Sequence, residues 1–291
     1  MKLMLRALIA VAALSAFGGA IVSGQNADRL NANTLKALTF RNLGPTLNPG
    51  RVVDVEIDPK NPNVWYVAAA FGGVWKTINR GITFEPIFND YGFTTCCVVV
   101  DPKDSNIVWV GSGENGSQRS AHFGDGVYKS TDAGKTFKNM GLKTSEHIGK
   151  IIVDPRNSNT VWVASQGPLF SEGGERSLYK TTDGGNTWTA ALTITKDTGV
   201  NDIVLDPANP DIIYASSYQR RRHVGQMIGG GSEGGIWKSM DGGKKFTKLT
   251  NGLPKGSVGR IALAIDPRGL ITAAAPAKDA TKAVPAEGDK P

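Results

Sequence analysis

Four related stretches decide the fold of this chain: Thr77–Phe84 (TINRGITF), Ser130–Phe137 (STDAGKTF), Thr181–Trp188 (TTDGGNTW) and Ser239–Phe246 (SMDGGKKF). Their first residues are 53, 51 and 58 positions apart. In each stretch an Asp or Asn side chain can accept hydrogen bonds from backbone N–H groups one or two residues on. The Ser or Thr hydroxyl can add a local hydrogen bond, and the glycine two positions after the Asp suits a positive φ. The pattern predicts a tight hairpin turn that an aromatic residue closes against a sheet.

The same elements precede each of these turns. A β-rich run ends in Asp-Pro at Asp58, Asp101, Asp154 and Asp206, an Asn-rich turn usually follows, and then comes a short apolar strand. Each unit predicts a four-stranded antiparallel sheet, which buries both faces only when neighbours stack on it. Radial stacking of such sheets gives a β-propeller. We therefore predict an all-β propeller of about four complete blades plus the first strand of a fifth at 258–267.

The turn pattern resembles the Asp box, or BNR repeat, of sialidases, some endoglucanases and sortilin-type Vps10 domains. Further stretches, among them Phe40–Pro45, Phe71–Lys76, Gly124–Lys129 and Ser145–Gly149, are similar to large secreted bacterial sortilin-like BNR-repeat proteins, often labelled glycosyl hydrolases. This resemblance covers about residues 38–266, and the chain looks truncated beside those proteins. It implies that the box residues are structural, on the outer rim of the blades: Asn79, Asp132, Asp183, Asp241, Gly81, Gly134, Gly185 and Gly243.

The two ends of the chain have compositions unlike the repeats. Lys2 and Arg6 precede an apolar run at 7–22 and small residues at 23–24, a pattern typical of a cleaved secretory signal at 1–24. We expect a secreted or periplasmic protein with a linker at 25–37, blades at 38–267 and a disordered Ala/Pro/Lys-rich tail at 268–291. We expect no membrane span after signal cleavage.

Composition excludes several classes of function. The formal net charge is +7, but no dense basic stripe with interleaved aromatic residues occurs, so we expect no nucleic-acid partner. We also expect no cofactor and no metal site. Cys96 and Cys97 are adjacent in a predicted strand, where alternation places neighbouring side chains on opposite faces. Two buried thiols are the expected state, with a strained vicinal disulfide as the alternative.

Three loops carry the candidate ligand-binding residues. The first runs from 111 to 125, the second from 144 to 149 and the third from 218 to 226, and we expect the first and third on one face of the propeller. Gathered there, carboxylates, arginines and histidines can bind a sugar, a peptide or an anion, or they can simply hold the loops in place. The candidates are Glu114, Asn115, Arg119, His122, Asp125, His147, Arg220, Arg221, Arg222 and His223.

Two functions follow from these residues and the resemblance. The favoured one is a non-catalytic binding or assembly module for protein, peptide or polysaccharide ligands; the alternative is a glycoside hydrolase. In the endoglucanases that the first blade resembles, a catalytic Asp stands where this chain has Ala70. The sialidase pattern offers Arg41, Arg51, Arg119 and Tyr218, but no Arg-Ile-Pro stretch accompanies them. A third possibility, complex assembly as in photosystem II stability factors, rests on the run Arg220–Arg222 alone.

Overall fold

The computed structural model describes residues 50–92, 94–116, 121–266 and 271–274. They all fall in one compact unit, Leu47–Pro291. The predicted signal segment 1–24, the linker 25–37 and Arg119 lie outside the described residues. Within the described ranges the regular structure is entirely β. None of it forms a helix long and apolar enough to cross a membrane.

The first four units each form an antiparallel sheet in chain order, as the repeat pattern predicts. Blade 1 contains β1 (Val52–Ile57), β2 (Trp65–Ala69), β3 (Gly73–Thr77) and β4 (Glu85–Pro86). Blade 2 contains β5 (Thr95–Val100), β6 (Val108–Ser112), β7 (Val127–Ser130) and β8 (Lys138–Asn139). Blade 3 contains β9 (Ile148–Val153), β10 (Val161–Ser165), β11 (Leu178–Thr181) and β12 (Thr189–Leu192).

Blade 4 and the fifth unit differ from this pattern. Blade 4 contains β13 (Thr198–Leu205), β14 (Ile213–His223), β16 (Gly235–Ser239) and β17 (Thr247–Lys248), and β15 (Gln226–Gly229) pairs with the far end of β14. The fifth unit is a hairpin of β18 (Ala262–Ile265) and β19 (Ile271–Ala274). Residues 271–274, which the sequence places in the expected tail from 268, pair with β18 as a second strand of this unit. Within the described strands, β18 pairs with β19 and not with blade 1.

The hydrophobic core lies between consecutive blades rather than at one centre. One cluster joins Tyr66, Val74 and Phe88 of blade 1 to Val98 and Val110 of blade 2. Equivalent clusters join blades 2 and 3, blades 3 and 4, and blade 4 and the fifth unit. Blades 2, 3 and 4 therefore each present one apolar face to the blade before and the other to the blade after, which is how a repeat structure buries small sheets.

The structure confirms the predicted box turns and corrects their hydrogen bonding. In blade 2, Asp132 Oδ1 accepts from Ser130 Oγ at 2.7 Å and from the backbone N of Thr136 at 2.8 Å, four residues on rather than one or two. The Ser130 hydroxyl in turn accepts from the N–H of Gly134 at 2.8 Å. Gly134 has φ +85°, as predicted, and Ala133 before it also has a positive φ of 59°. Two successive left-handed residues make the turn tighter than the sequence indicated.

The box turn of each following blade receives side chains of the blade before it. Lys129 of β7 lies over the Trp109 ring, 4.9 Å from its centroid, and donates to the carbonyl oxygen of Gly184 in the next box at 3.0 Å. Lys76 and Lys180 occupy the same position in blades 1 and 3. A Cβ added at Gly185 would lie 2.7 Å from Trp109, so glycine is required by this approach as well as by its φ of 95°. The boxes therefore act as inter-blade contacts.

The expectation that Cys96 and Cys97 point to opposite faces was wrong. A register shift between Thr95 and Cys97 interrupts the alternation of β5. In such a bulge two residues stand opposite one residue of the partner strand. The two Sγ atoms are consequently only 2.9 Å apart, and both cysteines are free and buried, as expected.

Candidate functional site

The three candidate loops meet on one face of the described blades. The first two loops are joined by their backbones, because Gly124 N donates to the Glu146 carbonyl at 2.7 Å. A Cβ at Gly113 would lie 1.8 Å from the same carbonyl oxygen, so only glycine permits this approach. The third loop reaches the first through Arg220, whose Nη2 donates to the Gly116 carbonyl at 2.7 Å. The structure thus brings together loops of blades 2, 3 and 4.

Glu114 and His147 form the buried part of this junction. His147 Nδ1 lies 2.8 Å from the Glu114 carbonyl, which can only accept, so this nitrogen carries the hydrogen of the neutral ring. Burial, followed by the nearby charge of Arg220, lowers the pKa of His147 to about 3. The Glu114 carboxylate pairs with Arg51 through Oε1, while Oε2 has no hydrogen-bond partner within the described residues. His147 is therefore a neutral hydrogen-bond donor at physiological pH.

Arg220 is a buried cation that holds three blades together. Its Nη1 donates to Gln166 Oε1 at 2.5 Å, and Gln166 Nε2 donates to Asn201 Oδ1 at 2.9 Å. Arg176, also buried, donates to the Gln166 carbonyl at 2.6 Å. Burial lowers the pKa values of Arg176 and Arg220 to about 10, so both remain charged at neutral pH. These contacts assign Arg220 to the support of the loops rather than to a freely accessible surface.

The remaining basic candidates lie on the hairpin that β14 and β15 extend beyond blade 4. Arg221 forms an ion pair with Asp197 at 2.6 Å, and the backbone N of Arg222 donates to the Leu169 carbonyl in the neighbouring loop of blade 3. His223 is exposed near the tip of the hairpin. The run Arg220–His223 is therefore divided between a buried residue, a salt-bridged one and two nearer the solvent.

An open cavity of about 340 Å³ lies beside the first loop. Its lining includes Tyr91, His122, Phe123 and Asp125. Phe123 is 72% exposed, and the His122 ring lies 4.6 Å from that of Phe71. Asp125 Oδ2 accepts from the Tyr128 hydroxyl at 2.7 Å, which fixes the carboxylate at the rim. The cavity combines an exposed aromatic surface with a positioned acceptor.

Several residues of the junction were not among the sequence candidates. The backbone carbonyl of Asn115, which is one of the candidates, accepts from Arg260 at 3.1 Å and from Gln166 at 3.4 Å. Gln166, Arg176 and Arg260 were missed, because each lies outside the three candidate loops. The available signal was positional, since Gln166 directly follows the second strand of blade 3, as Gly113 does in blade 2 one residue before Glu114.

Two further predictions concern Ala70 and metal binding. Ala70, which stands where the resembling endoglucanases have a catalytic Asp, is fully buried at the end of β2. Across the described ranges, His, Cys, Asp and Glu side chains do not gather in any group of three suited to a metal ion.

The stacked sheets and their box turns define an Asp-box β-propeller. The family model Sortilin-Vps10, described as sortilin, neurotensin receptor 3, matches residues 125–271, just over half of the chain. The chain therefore belongs to the Sortilin-Vps10 family, and the predicted family and fold class are confirmed.

Two curated relatives are named xyloglucanases. The xyloglucanase of Hypocrea jecorina (strain QM6a) is 31% identical over a match that covers 47% of this chain and 20% of the relative. Xyloglucanase Xgh74A of Acetivibrio thermocellus is 25% identical, with coverages of 48% and 19%. The chain thus spans about a fifth of the length of these relatives.

Two solved structures support the fold. An ancestral GH74 enzyme has a TM-score of 0.60 at 21% identity, covering 78% of this chain and 28% of that chain. The Niastella koreensis GH74 enzyme has a TM-score of 0.51 at 22% identity, with coverages of 75% and 32%. At these identities the likeness concerns the fold alone.

Proposed function

We propose that the loop face of this chain binds a polysaccharide, with xyloglucan as the ligand. The observation that carries this proposal is the cavity of about 340 Å³ with Phe123 exposed at its rim and Asp125 held by Tyr128. Aromatic rings offer flat apolar surfaces, on which the C–H faces of sugar rings can pack. A fixed carboxylate can accept hydrogen bonds from sugar hydroxyls. The names of the two curated relatives supply the choice of xyloglucan.

Binding is tested by titrating the purified chain with xyloglucan in a calorimeter. Removing the exposed ring in Phe123→Ala should weaken binding about three- to tenfold, the range expected for one aromatic contact. Ile82→Ala is the control, because Ile82 is similarly exposed but lies in the box turn of blade 1. Equal affinities for wild type and Phe123→Ala, or no binding by wild type, would refute the proposed site.

The second candidate function is hydrolysis of xyloglucan, and the names of the relatives favour it at least as well as binding. Glycosidases usually use two carboxyl groups on either side of the bond. Glu114 and Asp125 are the carboxylates of the first loop, and Ala70 supplies no carboxylate in blade 1. The chain covers about a fifth of the length of each relative, so in a longer protein the second carboxyl group can come from outside these 291 residues.

Hydrolysis is measured as release of reducing ends from xyloglucan, using wild type, Glu114→Gln and Asp125→Asn. Turnover that disappears in Asp125→Asn while binding persists would make hydrolysis the function. Binding without release of reducing ends would leave the binding function standing and refute hydrolysis by this chain.

We also propose that the protein is exported, because the first 24 residues have the charge and apolar pattern of a secretory signal. Sequencing the N-terminus of protein recovered from the periplasm or medium tests this proposal. A new N-terminus near residue 25 is expected, and an intact Met1 in cytoplasmic protein would contradict it.

A further inference from the structure

Cys96 and Cys97 form a pair of thiols that the proposed binding function does not use. Both belong to the cluster between blades 2 and 3, and their Sγ atoms lie 2.9 Å apart. Adjacent residues of a regular strand point to opposite faces, so this contact needs a departure from strand geometry. The bulge of β5 provides it, because the pairing of β5 with β6 skips Cys96.

The bulge belongs to the blade and not to the cysteines. The first strands of the other three blades have the same register shift, and each skips the residue five positions before the Asp of the Asp-Pro pair: Val53, Gly149 and Asn201. In blade 4, Asn201 Nδ2 donates to the Ile261 carbonyl of the fifth unit at 3.0 Å. The adjacent Asp202 accepts from the N–H of Leu263 in the same unit at 2.8 Å. The repeat thus turns two consecutive side chains toward the next blade, and in blade 2 these are the two thiols.

The strand beside the bulge leaves room for the two sulfur atoms. Gly111 of β6 pairs with Cys97, and a Cβ added there would lie 2.7 Å from the Sγ of Cys97 and 2.8 Å from that of Cys96. Gly111 is not among the glycines with a positive φ, so its backbone conformation does not itself call for glycine. The residues at the same position in the other blades all have a Cβ: Ala68, Ala164 and Ser216. The glycine in blade 2 therefore accommodates the thiol pair.

The next blade closes this site. Ile148 Cγ2 of blade 3 lies 2.8 Å from the same added Cβ, and Cys96 and Cys97 are 1% and 3% exposed. Burial, followed by the hydrogen bond with Cys97, raises the pKa of the Cys96 thiol well above its ordinary value. The thiolate that reacts with oxidants is therefore scarce in the folded protein. The state of the pair is decided while blade 3 is not yet packed on blade 2.

We propose that Cys96 and Cys97 are a redox site that closes to a vicinal disulfide when the chain folds in the presence of a disulfide oxidant. The thiolate of one cysteine attacks the disulfide of the oxidant, which forms a mixed disulfide and releases one thiol of the oxidant. The other cysteine attacks the mixed disulfide and releases the second thiol. Two electrons pass to the oxidant, and the two cysteine protons end on its two thiols. The export proposed above would place folding in a compartment that holds such oxidants.

The disulfide of neighbouring residues is strained. Their Cα atoms are about 3.8 Å apart across a trans peptide, whereas disulfides usually join Cα atoms that are about 4.4 Å or more apart. A strained disulfide is reduced more readily than an ordinary structural one, so the pair responds to the redox conditions in which the chain folds.

The proposal is tested by unfolding the full chain in urea with a reductant and refolding it with oxidised glutathione or with reduced glutathione alone. Remaining thiols are blocked with N-ethylmaleimide in denaturant, and the intact mass is measured. Refolding with oxidised glutathione should give a single chain that is two hydrogens lighter and has no maleimide adduct, whereas refolding with reduced glutathione should give two adducts. The chain has two cysteines, so an intramolecular disulfide can only join these two. Two adducts after oxidative refolding, or chains linked to glutathione or to each other, would overturn the proposal.

A sample kept in urea with the same oxidant measures what the bulge contributes. The ratio of disulfide to dithiol should be about tenfold higher after refolding than in urea, because the fold holds the two sulfur atoms in contact. Equal ratios would show that the fold does not close the pair, and the proposal would fail. Cys96→Ser and Cys97→Ser are the matched controls, and each should keep one thiol that ends as a maleimide adduct or as a mixed disulfide with glutathione. Tryptophan fluorescence identifies the folded fraction in which thiols are counted, and none of these readouts depends on polysaccharide binding.

Discussion

Replacing His147 with Asn should make the stability of the protein less sensitive to acid. His147 is buried, and its Nδ1–H donates to the Glu114 carbonyl at 2.8 Å. The side-chain amide of Asn can place an N–H close to the position of Nδ1. The variant therefore keeps the donor at the junction of the loops and removes the titrating group.

The magnitude follows from the pKa of His147, which burial and then the charge of Arg220 lower to about 3 from an ordinary value of 6.5. Between these values the unfolded chain binds a proton that the folded protein does not. The contribution of neutral His147 to stability is thus complete above pH 6.5 and is lost as pH falls. From pH 7.5 to pH 5.0 this loss is about 2 kcal/mol.

The assay is urea unfolding of wild type and His147→Asn at pH 7.5 and pH 5.0. Between the two conditions wild type should lose about 2 kcal/mol more than the variant. At pH 7.5 alone the variant should be less stable by roughly 1–2 kcal/mol, because Asn fills less of the buried space. His122→Asn is the control, because it makes the same substitution at an exposed imidazole. An identical loss with pH in wild type and His147→Asn would refute the argument.

Three further outcomes are expected. Burial raises the pKa of Glu56 to about 7 from 4.5. The protonated carboxyl group of Glu56 therefore stabilises the fold below pH 4.5, and this stabilisation is lost as the pH rises through 7. In urea unfolding, Glu56→Gln should be roughly 1–2 kcal/mol more stable than wild type at pH 8 and equally stable at pH 4. Equal stabilities at pH 8 would contradict this. Asp132→Ala should lower the stability measured by thermal unfolding by about 1 kcal/mol, because it removes the hydrogen bonds to Thr136. Asp132→Asn should lower it less, because Asn79 makes equivalent bonds to Thr83 in the box of blade 1. A larger loss in Asp132→Asn would show that the charge matters. Asp202→Ala removes the acceptor that Leu263 N uses at 2.8 Å, so amide exchange at Leu263 should quicken about tenfold, and Asp202→Asn is its control. Unchanged exchange in Asp202→Ala would show that this bond does not protect the fifth unit.

The box turns show how much of the fold can be predicted from local sequence. Asp132, Gly134 and Phe137 recur in kind in four units, and their spacing was sufficient to predict the hairpins and the stacked sheets. The exact acceptors were not predictable in the same way. The reach of Asp132 to Thr136 depends on two successive positive φ values at Ala133 and Gly134, and non-glycine residues seldom signal that conformation in a sequence.

The candidate site was predictable only as a set of loops. Glu114, His147 and Arg220 were chosen for their chemistry, and the structure brings all three to one junction. Their burial was not foreseen, because polar residues in loops are ordinarily solvated. The partners Gln166 and Arg176 come from positions that the chain separates from Glu114 by more than 50 residues, and only the stacking of blades brings them near.

The sequence by itself determined the four strands of each blade, their order and the repeat length, because these depend on turns and alternation among neighbouring residues. The tertiary structure decided which faces are covered, that a bulge brings Cys96 and Cys97 to 2.9 Å, and that the tail from Ile271 supplies a second strand to the fifth unit. It also decided that Val55 of blade 1 is half-exposed, whereas Val98, Ile151 and Ile203, which stand three residues before the Asp-Pro pair as Val55 does, are buried. The physical reason is that covering a sheet requires another sheet, and the identity of that neighbour is not encoded in the residues of the blade itself.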